Sequence, residues 1–330
     1  MGVYIMSNLT DLISAGGGGG SPFPLMVFQQ SQTWACPTAM EALVFVIGAG
    51  GSGAFNRSNN TSSRSCSGGG GGGCVVSKLT LAAQNYTLTI GAGAQYVSTA
   101  SGANGNAGGN SAMSGSGMTT MTAGGGAAGK MDSRSTATAG GSASGGTVMN
   151  NVGGAIAAQA AGQYTTSGGG GVSLWGGDAD GTWNTAATQL QVGVGGSPIG
   201  KAGIYASNPE YHSDWTYNFY PNQPVEVTPF PTIKFHQLSS RNNWGSNSTN
   251  SSGHTGFIIQ EGTNYNALGN SPFTGGAGVS GGTGGAYFRA AAGIAGAGGG
   301  GVNCDSSPAG GLSGGGGAGL IIVCPISMGA

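Results

Sequence analysis

Charge is nearly missing from this chain: nine Lys or Arg and ten Asp or Glu are spread over 330 residues, for a net charge of −1. That excludes the basic stripe a nucleic-acid partner requires. It also weighs against disorder throughout, because disordered segments combine low hydrophobicity with high net charge. Long apolar runs are absent too, and none reaches the ~18 residues that mark a membrane span. Met1–Thr10 has neither a basic n-region nor an apolar h-region, so no secretory signal is expected. Met6 stands where a myristoylation motif needs Ser or Thr.

Proline is scarce, with 12 residues, and cysteine scarcer, with five at positions 36, 66, 74, 304 and 324. Collagen needs glycine at every third position with abundant proline, and Gly68–Gly73 is unbroken glycine, so a collagen triple helix is excluded. Cys66 and Cys74 bracket that run without zinc spacing or a nearby histidine. The cysteines read as small buried side chains, with a Cys66–Cys74 disulfide as the alternative.

What is abundant is glycine: 73 residues, roughly three times average usage. Much of it lies in runs such as Gly16–Gly20, Gly68–Gly73 and Gly298–Gly301, flanked by apolar segments that can build a core. A disordered linker is the bland reading. The ordered one is a lattice of left-handed helices with three residues per turn, close enough for N–H of one to reach C=O of the next.

Residues 1–25 read as an arm or attachment segment, and 26–200 as the first part of a glycine-rich β and polyglycine II domain. Residues 201–275 form an insertion, and 276–330 close the domain. Ala42–Ile47 is a continuous apolar run that predicts a strand buried on both faces. Lys78–Leu81 and Tyr86–Ile90 alternate apolar with polar and predict a half-buried hairpin. Leu320–Val323 predicts a further strand, placed to share a sheet with the first. Between Gly91 and Gly200 no helical period is found, and packed glycine helices and loops are expected. The fold class is therefore mainly β: a small sandwich-like framework with polyglycine II helices and long loops.

The insertion differs in kind, holding all three histidines and twelve of the 25 aromatic residues. Tyr211, Trp215, Tyr217, Tyr220 and Trp244 are the candidate contact residues, since aromatics supply large contact area at low conformational cost. A small hydrophobic core inside the insertion is the competing role for the same side chains.

Patterns that resemble catalytic motifs lack their context. Gly48–Gly53 fits G-x-G-x-x-G after a strand, but a polar stretch follows where a helix and a later acid are required. Gly124–Lys130 has Walker A spacing with Met131 in place of the magnesium-binding Ser or Thr. Ser280 and Ser313 sit in G-x-S-x-G, a frequent accident in so much glycine. Asp178 and Asp180 could open a calcium loop, yet no third acid follows, and a polar turn is the commoner explanation. Glu210, His212 and Asp214 share a face of an extended chain, as a surface cluster would. Two carboxylates would suffice for a glycosidase, and nothing marks which two. The expectation is a protein that is not an enzyme and carries no cofactor or metal.

The segments Trp34–Met40, Leu43–Ile47 and Gly48–Gly53 resemble the opening of the glycine-rich domain common in bacteriophage tail and fibre proteins. Matching blocks follow in order: Gly68–Gly73 with Val75-Val76 and Ile90–Gly93, then Gly108–Ser111 and Met118–Gly126, then Gly314–Val323. The resemblance covers about residues 28–130 and 276–323. In composition the chain is also similar to distal tail-fibre adhesins of T-even-like phages, and a similar module occurs in receptor tyrosine kinases of the anaplastic lymphoma kinase type. The resemblance implies a rigid glycine lattice presenting loops, in a virion tail or fibre outside the cell. Its expected partners are other virion proteins through residues 1–25, a host surface glycan or outer-membrane protein, and further copies of itself, a trimer among them. A purely structural adaptor or capsid decoration, and a polysaccharide depolymerase, are the alternatives.

Overall fold

The fold is described from a computed structural model, covering residues 25–57, 65–98, 102–131, 137–158, 165–174, 273, 275–276, 278–281, 287–304 and 310–328, with isolated strands between 191 and 269. The framework is a sandwich of two five-stranded antiparallel sheets. Its strands are β1 (Met26–Phe28), β2 (Gln32–Ala35), β3 (Met40–Ile47), β4 (Cys74–Leu81), β5 (Asn85–Thr89), β6 (Ser111–Gly115), β7 (Met121–Ala123), β8 (Ala143–Ser144), β9 (Met149–Asn151) and β10 (Leu320–Met328). The first sheet runs β1-β10-β3-β4-β9 and the second β8-β7-β6-β5-β2.

β3 is the centre because both of its faces are apolar. Met40, Ala42, Val44 and Val46 pack between the sheets with Ile321 and Val323, against Tyr86, Leu88, Met113 and Met121 of the second sheet. Leu43, Phe45 and Ile47 face the other way and pack with Cys74, Val76, Leu320 and Ile322. Val172, Leu174 and Phe273 cover that outer face. A strand buried on both sides needs neighbours on both edges, and β3 pairs with β4 on one and with β10 on the other, Ile47 opposite Leu320. The first and last long strands thus share a sheet, as their composition predicts.

The expected hairpin is corrected by the structure. β4 and β5 lie in different sheets: β4 pairs with β3 and β9, while β5 pairs with β2 and β6. Alternation correctly marks one buried face on β5, but it says nothing about the neighbour. The first half of β4, Cys74–Ser77, is wholly buried, which places it inside the first sheet with both edges occupied. The connection is pinned across the gap by the Tyr86 hydroxyl, which accepts the Ala82 N–H at 2.9 Å, and by Cys36 N–H donating to the Gln84 carbonyl at 2.9 Å. The 91–200 stretch also holds strands where only helices and loops are expected. β6 and β7 form because Met113 and Met121, both fully buried, fill the second sheet's core face.

The insertion is strand-rich in backbone, with Asn218–Pro221, Leu238–Asn242 and Ser251–Gly253 in one three-stranded sheet. Gly256–Glu261 pairs with Asn264–Gly269, which continues in parallel to Tyr287–Arg289 and then Gly310–Leu312.

Candidate functional site

At Ile47 the chain leaves the sandwich and becomes a glycine rod whose hydrogen bonds repeat every three residues. Gly48, Gly51 and Ala54 donate to the carbonyls of Gly73, Gly70 and Ser67. Ala49 and Ser52 donate to Gly109 and Asn106, and Gly50 and Gly53 to Gly317 and Gly314. Each rod therefore meets a different neighbour on each of three sides, the bonding pattern of three-residue helices packed side by side. The 67–73 rod does the same: Ser67, Gly70 and Gly73 donate to Lys130, Ala127 and Gly124, while Gly69 and Gly72 donate to Gly299 and Gly296.

The glycines are required by proximity. A Cβ on Gly51 would fall on the Ala127 carbonyl, on Gly69 on the Gly51 carbonyl, and on Gly298 on the Gly69 carbonyl. Positive φ marks Gly102, Gly117, Gly145 and Gly296 instead, all at turns or rod ends. Gly296 with Ala295 (φ 51°) reverses the chain beneath Ile47 and Val172.

Serines at the rod ends complete the lattice, and sequence reading missed them. The Ser167 hydroxyl accepts the Gly68 N–H at 2.8 Å, Ser67 that of Lys130 at 2.7 Å, Ser52 that of Asn106 at 2.8 Å, and Ser313 that of Val97 at 3.0 Å. All four serines are buried, so each hydroxyl must be matched, and a short side chain can stand in for a missing carbonyl. The signal was present: Ser52, Ser67, Ser167 and Ser313 each directly precede a glycine.

Connectivity gives the lattice two unlike ends. At the near end the rods run straight into β3, β4, β6, β7, β8 and β10. The links 57–65, 98–102, 131–137 and 158–165 each leave and re-enter at the far end, from Arg57 to Ser65, Ser98 to Gly102 and Met131 to Ala137. Among the described residues, Tyr96 and Met131, near two of those links, are the exposed large side chains there, at 53% and 39%.

The motif look-alikes dissolve into this lattice. In the Gly124–Lys130 run, N–H groups that would cradle phosphate already donate to Ser142, Ala49, Ala139 and Ser52 carbonyls, to Asn110 and to Ser67. Gly48–Gly53 is likewise fully engaged. Ser313 is buried and accepts from the backbone. Among the described residues no cluster of His, Cys, Asp or Glu could hold a metal ion. Asp178, Asp180, Glu210, His212 and Asp214 lie outside the described residues. So do Tyr211, Trp215, Tyr217 and Trp244, while Tyr220 stands on the strand Asn218–Pro221, opposite Ser239.

No disulfide joins Cys66 to Cys74. The rod between them rises about 3.1 Å per residue, which sets the two roughly 25 Å apart, far beyond disulfide reach. Burial pushes the Cys74 thiol up to about 12 from 9.0. The thiolate fraction at a given pH should then be about a thousandfold lower than in the unfolded chain. Labelling at pH 8 is expected to spare Cys74 until the protein is unfolded. Because folding favours the neutral thiol, its stabilisation is complete below pH 9 and is lost as pH rises toward 12. Melting temperature should therefore fall above pH 9, and fall less in Cys74→Ala.

Among curated proteins none matches the chain. A family model described as a glycine-rich domain matches residues 26–219. That span opens at β1 and takes in nine of the ten sandwich strands together with the 48–54, 67–73 and 124–130 rods. It covers more than half of the sequence, and the chain belongs to the glycine-rich domain family.

Proposed function

We propose that the chain is a receptor-binding component of a bacteriophage tail or fibre, which recognises a host cell-surface molecule through links carried on a rigid glycine lattice. The observation that supports this most is the interlocked array: rods bonded to one another through their backbones, with the described ends Arg57, Ser65, Ser98, Gly102, Met131 and Ala137 gathered away from the sandwich. A lattice bonded on three sides resists bending, so the points from which its links depart are held in fixed relative positions, and less entropy is lost there on binding. Near-neutral charge suits recognition by hydrogen bonding and aromatic contact over electrostatic steering. Tyr211, Trp215, Tyr217, Tyr220 and Trp244 remain the aromatic contacts of this reading, joined by Tyr96 at the lattice end. Partners are a host glycan or outer-membrane protein on one side and virion proteins, reached through residues 1–25, on the other. The chain performs no catalysis in this role.

Purified protein at saturating concentration is expected to compete with phage adsorption to the host. Adsorption unchanged at saturation would contradict receptor binding and leave a structural adaptor as the reading to pursue.

A further inference from the structure

One border of the lattice is closed by side chains. The 103–110 and 124–131 rods run antiparallel there, with Gly105 and Gly108 donating to the Gly129 and Gly126 carbonyls, each at 2.9 Å. Within the second rod, Gly124 and Ala127 donate inward to Ser142 and Ala139, and Gly126 and Gly129 to Ala49 and Ser52. Among the described residues, no rod receives the third set of N–H groups, on Gly125, Ala128 and Met131.

Two of those three are met by asparagine. The Asn110 Oδ1 accepts the Gly125 N–H at 2.9 Å, and the Asn104 Oδ1 accepts the Met131 N–H at 2.8 Å. The same register puts Ala107 opposite Ala128, and alanine has no acceptor to offer. The border thus reads cap, gap, cap at a three-residue spacing. Both asparagine bonds are exposed, and a donor in water loses little when its protein partner is removed. Stability therefore does not account for placing acceptors at these positions.

We propose that Asn104 and Asn110 block the addition of a glycine rod from a second copy of this chain. An open row of donors on a rod is the counterpart of an unpaired sheet edge, which templates pairing with another chain unless it is blunted. The row repeats at roughly 9 Å, three residues of about 3.1 Å, and another three-residue helix matches that repeat. The molecule fitted to it is this same sequence, whose rods all carry that period. Charge offers no alternative barrier, since the net charge is −1 and Lys130 is the charged residue on these two rods. A single open position, at Ala128, gives one bond and no cooperative row.

The experiment compares the parent, Asn104→Ala/Asn110→Ala and Ala107→Asn by sedimentation velocity across a concentration series, with amide exchange read at positions 125, 128 and 131. The double variant should gain mass with concentration, reaching at least about twice the parent's mass, as pairing of whole copies requires. Ala107→Asn should keep the parent's mass and slow exchange at Ala128 by about tenfold, the worth of one hydrogen bond. A double variant that stays at the parent's mass overturns the proposal. So does unchanged exchange at Ala128 in folded Ala107→Asn, which tests the register even if the double variant fails to fold.

Discussion

Gly51→Ala is expected to abolish accumulation of folded protein. Gly51 touches three neighbouring rods: its N–H donates to the Gly70 carbonyl, its carbonyl accepts from Gly299, and its missing side chain leaves room for the Ala127 carbonyl. A methyl group placed there overlaps backbone, and that backbone is itself bonded, Ala127 N–H to Ala139 and Gly70 N–H to Ala127. Nothing flexible can move aside. Relief requires shifting a whole rod and breaking its row of bonds, so the cost belongs to the exceptional class above about 4–5 kcal/mol. Total stability is on the order of 5–15 kcal/mol. Soluble yield and melting temperature would both collapse. Gly117→Ala is the control: its φ is +74° but nothing lies within 4 Å of the added carbon, so it should cost only about 1–2 kcal/mol of backbone strain. Equal tolerance of the two substitutions would contradict close rod packing.

Tyr86→Ala is expected to produce the second-largest loss, about 3–5 kcal/mol for a buried aromatic side chain. Tyr86 is 2% exposed, in the core between the two sheets. Its ring packs against Gly115, where an added carbon would lie 2.5 Å from it, and stands 5.7 Å from the Trp34 ring. Its hydroxyl accepts the Ala82 N–H, which fixes the crossing from β4 to β5. Removing the ring leaves a cavity and frees that crossing. A fall in melting temperature of roughly 10 °C follows from about 2–4 °C per kcal/mol. Tyr86→Phe keeps the packing and should lose about 1 kcal/mol, the net worth of one hydrogen bond. Chemical denaturation of the two variants separates the contributions. If both variants lost the same amount, the ring would be contributing nothing.

The β framework was legible because its strands declare themselves by composition. Ala42–Ile47 has no polar break, which is the mark of a strand buried on both faces, and Leu320–Val323 carries the same mark beside it in the sheet. Pairing was less legible. The alternation in Tyr86–Thr89 identifies an inward face, but Tyr86 packs from the opposite sheet onto β3, a choice set by which edges β4 had left. Glycine runs announce rods without naming neighbours. With no side chain to recognise, register is carried by the buried residues that interrupt glycine: Ser52, Ser67, Ser167 and Ser313. A single serine beside glycine is too common to be read as a signal until its partner is known. Aromatics crowd at 201–275 and so draw the candidate contacts there, whereas Tyr96, one tyrosine among Gly, Ala and Gln, carries no pattern that announces its exposure.

Amide hydrogen exchange at Gly48–Gly53, Gly68–Gly73, Gly314, Gly316 and Gly317 tests the central claim, that these runs form one bonded lattice. The account predicts protection approaching that of the β3 and β4 core strands, because these amides open only when the lattice does. Exchange at the rate of an unstructured chain, with β3 and β4 still protected, would show the glycine runs to be tethers on a sandwich and would contradict the account.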